Sequence, residues 1–234
     1  MRTRDRSRPA VLFDLDGTLV DTNYLHTLAW SRALEEVGEW APMHAVHRLI
    51  GMGGDQLLST LLGHDCPEAA AARPRRYEEL AGEARPFPGA AALLRRAARS
   101  GLAVVLATSA PAAELDAAWE VLAVDDPERQ RLEGVVAART TADDVASAKP
   151  DPEVFETAID RAGADASRSV AVGDSVWDVE AARAAGLGCI GVESGGFSRH
   201  ELADAGAVAV YRDVHVLLDQ FAYSPLALLV PNAE

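Results

Sequence analysis

Six short, nearly uninterrupted apolar runs, separated by stretches of helical periodicity, constrain the fold of this chain more than any other feature. They cover residues 11–13, 103–107, 134–137, 169–172, 188–192 and 207–210. A strand with one face in water alternates apolar and polar residues, whereas a strand covered on both faces reads as a continuous apolar run. Such strands belong to parallel sheets, and helices must cover both sides. Apolar residues at helical spacing in 90–100, 114–122, 152–162, 178–185 and 214–221 supply those helices. The sequence therefore predicts an α/β fold built on a doubly wound, Rossmann-like parallel sheet.

One segment breaks the alternation. Residues 21–85 hold no convincing strand but four helix-like stretches, 24–37, 43–50, 56–62 and 67–85, with a glycine-rich joint Gly51-Met52-Gly53-Gly54 between the second and third. We expect an all-helical insertion, residues 21–86, in a core domain made of 9–20 and 87–222. Residues 1–8, with arginine at every second position, and 223–234, with a proline-bounded apolar run, are expected to be flexible termini.

Composition narrows the partners. The formal charge is −14, from 36 acidic against 22 basic side chains. Nucleic acids and anionic membranes require clustered positive charge, so neither is an expected partner. An acidic surface also repels phosphorylated ligands at long range, and any anion site must be built locally. No apolar stretch long enough for a membrane span or a signal sequence follows the first arginines. Cys66 and Cys189 lie far apart with no C-x-x-C spacing, which predicts neither a disulfide nor a zinc site and suggests a reducing, cytoplasmic setting. The oligomeric state is open, monomer or dimer. Every basic side chain except Lys149 is an arginine, and a lysine that persists against that bias invites a reason.

Ligands of open α/β sheets bind at the carboxyl ends of the strands. The residues that follow the runs are therefore the candidates, and they form a coherent set. Asp14 and Asp16 follow the first run; alternation places them on one side, and Gly17 lets the chain turn away. Two carboxylates so close repel each other unless a cation intervenes. Thr108 and Ser109 follow the second run, Lys149 opens a proline-bounded helix start, and Asp174 and Asp178 follow the run at 169–172. Each has an ordinary alternative as a turn or helix-cap residue; their convergence on one edge does not.

On these residues the chain resembles the haloacid dehalogenase superfamily, in the branch of phosphoglycolate phosphatases and β-phosphoglucomutases whose helical cap is inserted after the first motif. The matching motifs are Asp14-Leu15-Asp16-Gly17-Thr18, Thr108 closing a strand, Lys149-Pro150-Asp151-Pro152, and Gly173-Asp174-Ser175 followed by Asp178. They run in the family's order, and the similarity spans 11–221. The resemblance implies Mg²⁺-dependent hydrolysis of a small phosphorylated metabolite. Asp14 would be the nucleophile, forming an aspartyl-phosphate, and Asp16 the general acid and then the base. Thr108, Ser109 and Lys149 would bind phosphate. The metal would lie among Asp14, the Asp16 carbonyl and Asp174, with Asp178 supporting the metal shell or orienting Lys149. Removing Lys149 should stop turnover and spare the fold.

Departures within the superfamily exclude some reactions. A haloacid dehalogenase lacks the second aspartate of the first motif, and Asp16 is present. A phosphonoacetaldehyde hydrolase needs a cap lysine, and 21–85 has none. A sugar phosphate mutase is the competing reading, because Thr22, His26 and Trp30 match the mutase linker pattern. Small and apolar residues, Gly51 to Gly54, stand where the mutase holds a second phosphate with cations, and Thr18 replaces its usual valine. A phosphatase is therefore favoured, with a non-catalytic binding protein as the reading from another class. Substrate contacts are expected from Thr22, His26, Arg48, Gly51 and Met52, with His44, His47 and Gln56 as further candidates.

Overall fold

In a computed structural model, which describes residues 8–124, 132 and 134–231, the alternation resolves into one six-stranded parallel sheet. Its strands are β1 (Arg8–Phe13), β4 (Ala103–Ala107), β5 (Val136–Thr140), β6 (Ala164–Gly173), β7 (Gly188–Val192) and β8 (Ala209–Tyr211), in the order β5-β4-β1-β6-β7-β8. The continuous apolar runs have the predicted cause. Successive side chains point to opposite faces, so Val11 and Phe13 enter one core while Leu12 enters the other. Helices α5 (Ala90–Arg99), α6 (Ala112–Val124) and α10 (Val214–Asp219) cover the first face. Helices α7 (Glu153–Ala162), α8 (Val176–Ala184) and α9 (Arg199–Ala205) cover the second.

From β1 the chain moves outward through β4 to β5, then returns to β6 on the other side of β1 and continues outward. The strand order reverses at β1, and a crevice opens at the carboxyl ends there. Above it lie the helices between the first strand and α5: α1 (Asn23–Glu36), α2 (Met43–Arg48), α3 (Gly54–Leu62) and α4 (Pro67–Glu78). They bury a small core of their own around Trp30, Leu34, Val46, Leu57 and Leu58. Among the described residues no helix is long and apolar enough to cross a membrane. Cys66 and Cys189 are both free and buried.

The structure corrects the sequence reading in several places. First, β2 (Val20–Asp21) and β3 (Arg85–Pro86) form a two-residue antiparallel ladder where the chain leaves for the helical segment and returns. Runs so short carry no periodicity to detect. Second, β5 begins two residues later than the apolar run at 134–137 and includes Arg139, whose guanidinium packs 4.1 Å over the Trp119 ring. A sheet edge tolerates such a residue because its stem covers apolar surface while its head reaches outward.

Third, α9 was not anticipated, although Ser198 and Glu201 form a capping box at its start. Fourth, the last segment is not loose. It forms α11 (Pro225–Leu229), and Leu226 is fully buried in the core beneath α5 and α10. Arg8 likewise belongs to β1 rather than to a flexible arm, while residues 1–7 and 232–234 lie outside the described residues.

Candidate active site

The sheet delivers one carboxylate from each of its two central strands. Asp14 follows β1 directly, its amide continuing the ladder to Val172 O at 2.9 Å. Asp174 follows β6, and Asp178 occupies the first turn of α8, where Ser175 caps the helix. Ligand oxygens of Asp14, Asp174 and Asp178 all lie within 4.8 Å of one another, and all three residues are buried.

Lys149, with 2% of its side chain exposed, inserts into this cluster. Its Nζ donates to Asp14 Oδ1 and lies 2.7 Å from Asp178 Oδ1. The second Asp178 oxygen accepts from the Ser175 amide at 3.1 Å and hydroxyl at 2.6 Å. Asp174 is held by Thr18 Oγ1 and Asn23 Nδ2, each at 2.9 Å. Asn23 had not been singled out, and its place one residue before an amphipathic stretch was the available signal.

The electrostatics show what is missing from charge balance. Burial, opposed by Lys149 but reinforced by Asp178, Asp174 and Asp16, pushes Asp14 well above the usual carboxylate range. Burial, with the charge of Asp178 added, lifts Asp174 to about 7 despite the bonds from Asn23 and Thr18. Burial opposes the charge of Lys149, but Asp14 and Asp178 outweigh it and hold the ammonium firmly protonated. Three buried carboxylates thus share one ammonium. A hard divalent cation with oxygen ligands fits that deficit.

Asp16 behaves differently. Its side chain leaves the cluster and accepts at Oδ1 from Thr22 Oγ1 at 2.7 Å, with His26 Nε2 at 2.9 Å. Arg73 Nη2 lies 2.5 Å from His26 Nδ1. A guanidinium only donates, so Nδ1 accepts, and the hydrogen-bond network assigns the imidazole proton to Nε2, facing Asp16. Burial pushes Asp16 up, yet the His26 and Thr22 hydrogen bonds and the Arg73 charge bring it down to about 2. The His26 ring stacks on Tyr77 at 4.3 Å and 10°, which fixes its plane.

A cavity of about 120 Å³ joins these groups. Asp14, Asp16, His26, Gly51, Met52, Thr108, Ser109, Lys149 and Asp174 line it, together with Trp30, Arg73 and Glu114. The Thr108 oxygen accepts from the Ala110 amide at 3.0 Å, leaving its proton to donate, and the buried Ser109 hydroxyl has no partner. Arg48 is not in the cavity: it pairs with Glu201 at 2.5 Å and stacks 3.9 Å over Phe197. His47 stacks on Tyr24, and His44 and Gln56 face solvent.

Sequence reasoning missed Arg73 and Glu114. For Arg73 a signal existed, since Ala69, Arg73 and Tyr77 recur at four-residue spacing and two of them are buried. An arginine in a buried stripe needs a partner inside. Here that partner is Glu114, from the first turn of α6.

Comparison with known proteins follows the same line. The haloacid dehalogenase-like hydrolase family model matches residues 9–186. A phosphoglycolate phosphatase of Rhodospirillum rubrum is 35% identical over 230 residues, covering 92% of this chain and 91% of the relative. Among solved structures, a hydrolase from Pseudomonas syringae superposes with a TM-score of 0.83 at 32% identity, covering 92% of this chain and 99% of the other. CbbY from Rhodobacter sphaeroides, solved in complex with phosphate, superposes with a TM-score of 0.72 at 28% identity, covering 90% and 96%.

Proposed function

The chain belongs to the haloacid dehalogenase-like hydrolase family, and from that premise we propose that it is a Mg²⁺-dependent phosphatase acting on a small phosphate monoester. The observation that carries the reading is the grouping of Asp14 with Lys149, Asp174 and Asp178 at the topological switch point, beside an Asp16 whose environment sets it apart. Paired carboxylates in environments that push their proton affinities apart mark a division of roles.

In the first half-reaction an Asp14 oxygen attacks phosphorus, the ester P–O bond breaks, and the leaving oxygen takes a proton from Asp16. In the second, water attacks phosphorus, Asp16 takes its proton, and the P–O bond to Asp14 breaks to release inorganic phosphate. Asp16 rests as a carboxylate, so its first proton arrives with the substrate, whose phosphoryl charge raises the proton affinity of a neighbouring acid. Thr108, Ser109 and Lys149 bind the phosphoryl oxygens, and Asp178 orients Lys149. Asp14 and Asp174, with the Asp16 main-chain carbonyl, are the residues that would hold the metal. Bound there, Mg²⁺ supplies charge neutralisation and alignment of the transferring group.

Residues 21–86 act as a cap over the core made of the rest of the described chain, and the Gly51–Gly54 loop, which lines the cavity, is its flexible reach into the site. The same loop weighs against a sugar phosphate mutase, because it brings no cation for a second phosphate. The His26 contact to Asp16 fits either chemistry.

Hydrolysis of p-nitrophenyl phosphate with and without Mg²⁺, alongside Asp14→Asn, tests the reading. Metal-dependent release of nitrophenol that the variant lowers by at least about 10³-fold is expected. Turnover that survives Asp14→Asn would overturn it, and conversion of β-glucose 1-phosphate to its 6-phosphate without phosphate release would favour the mutase.

A further inference from the structure

The cavity wall contributed by α4 and α6 carries one cation and one anion tied to each other. Arg73 Nη1 donates to Glu114 Oε1, and Nη2 donates to His26 Nδ1 at 2.5 Å. The two side chains are 13% and 11% exposed. Arg73 Nε and the second Glu114 oxygen, Oε2, are buried without a hydrogen-bond partner. Buried polar atoms left unpaired lose their hydration for nothing, unless a ligand completes them.

Charge decides what that ligand is. Among the described residues lining the cavity, the cationic side chains are Lys149 and Arg73. Lys149 is held by Asp14 and Asp178, and Arg73 is held by Glu114. A substrate ending in a carboxylate or a second phosphate would meet no uncommitted cation and would be placed against the Glu114 carboxylate, with both charges desolvated. A hydroxyl meets no such cost. It can accept from the Arg73 guanidinium and donate to the Glu114 carboxylate, and it leaves the charge of the wall unchanged. Trp30 and Met52 line the same cavity and offer apolar surface to a short carbon skeleton.

We propose that the Arg73–Glu114 pair selects phosphate monoesters whose remote end carries neutral hydroxyls and rejects those ending in a carboxylate or a second phosphate. The proposal rests on the phosphatase reading. It also separates this chain from what the names of its relatives would suggest, since phosphoglycolate ends in a carboxylate.

The test is a comparison of kcat/KM for the intact, Mg²⁺-supplied protein on 2-phosphoglycolate and on 2-hydroxyethyl phosphate, which replaces the carboxylate by CH₂OH at equal chain length. Glycerol 1-phosphate serves as a second hydroxylated ester and p-nitrophenyl phosphate as the reporter of turnover. The hydroxylated esters should exceed phosphoglycolate by about tenfold or more. In Glu114→Gln, which releases Arg73 from its counter-charge, phosphoglycolate should gain about tenfold on 2-hydroxyethyl phosphate, mainly through KM. A wild-type preference for phosphoglycolate overturns the proposal whether or not the variant folds. A folded Glu114→Gln with an unchanged ratio overturns it as well. Absence of turnover on every ester, the reporter included, defeats the phosphatase reading and this proposal together, an outcome distinct from a reversed preference among active substrates.

Discussion

Lys149 Nζ lies 2.7 Å from Asp178 Oδ1, with both side chains 2% exposed. The same ammonium donates to Asp14, so one cation holds two buried carboxylates in place. The sequence suggested that removing this lysine would stop turnover and leave the fold intact. The structure argues otherwise, because breaking a buried pair leaves an uncompensated charge. Lys149→Met is expected to lose activity by at least about 10³-fold and to lower stability by about 3–5 kcal/mol. Urea unfolding of the variant in the absence of metal checks the second figure, and a change below about 1 kcal/mol would contradict it.

His26 and Thr22 hold Asp16 as a carboxylate at about 2, below its unfolded value of 3.8. Removing either donor weakens the charged form, so its proton affinity rises. His26→Ala should therefore lower kcat by about 10- to 100-fold and move the acid limb of the pH–rate profile to higher pH. Thr22→Val should show the same shift with a smaller loss. A profile that falls in height without moving along the pH axis would rule out this positioning role.

Gly195 shows how closely a backbone approaches the carboxylate edge. A Cβ there would lie 1.6 Å from Asp174 Oδ2, and that oxygen is already bonded to Asn23. Relieving that clash either takes Asp174 off Asn23 and Thr18 or displaces the loop that carries Gly195. Gly195→Ala is expected to cost about 1–3 kcal/mol and to weaken Mg²⁺ at the site. A variant as stable as the wild type and with unchanged Mg²⁺ activation would contradict this.

The carboxylate cluster makes stability depend on pH and metal together. Asp174 rises to about 7 in the folded protein from 3.8, and Asp14 shifts the same way. Between those pH values the folded state keeps a proton that the unfolded chain releases, so stability without metal is full below pH 3.8 and declines as pH rises toward 7. The Asp16 contribution has the opposite sign but acts below pH 3.8, outside this window. In EDTA the Tm should therefore fall by several degrees from pH 5 to pH 7.5, and saturating Mg²⁺ should flatten the trend by stabilising the ionised cluster. An equal slope with and without Mg²⁺ would argue against metal binding at these aspartates.

Much of this was legible in the chain because its information is local. An apolar run such as Val104, Val105 and Leu106 states that both of its faces are covered, and Asp14, Thr108 and Asp174 are in the site because each directly follows a strand whose carboxyl end opens at the crevice. Capping chemistry at Ser175 and Asp178 was equally local, being a three-residue relation. What the sequence alone could not determine were the long-range pairings: Asn23 with Asp174 across 151 residues, Arg73 with Glu114 across 41, and Arg48 turning from the site to Glu201 across 153. Those depend on how the helical segment is set against the sheet. A charged side chain with several possible partners takes the one that burial and geometry bring within reach, and only the tertiary structure makes that choice.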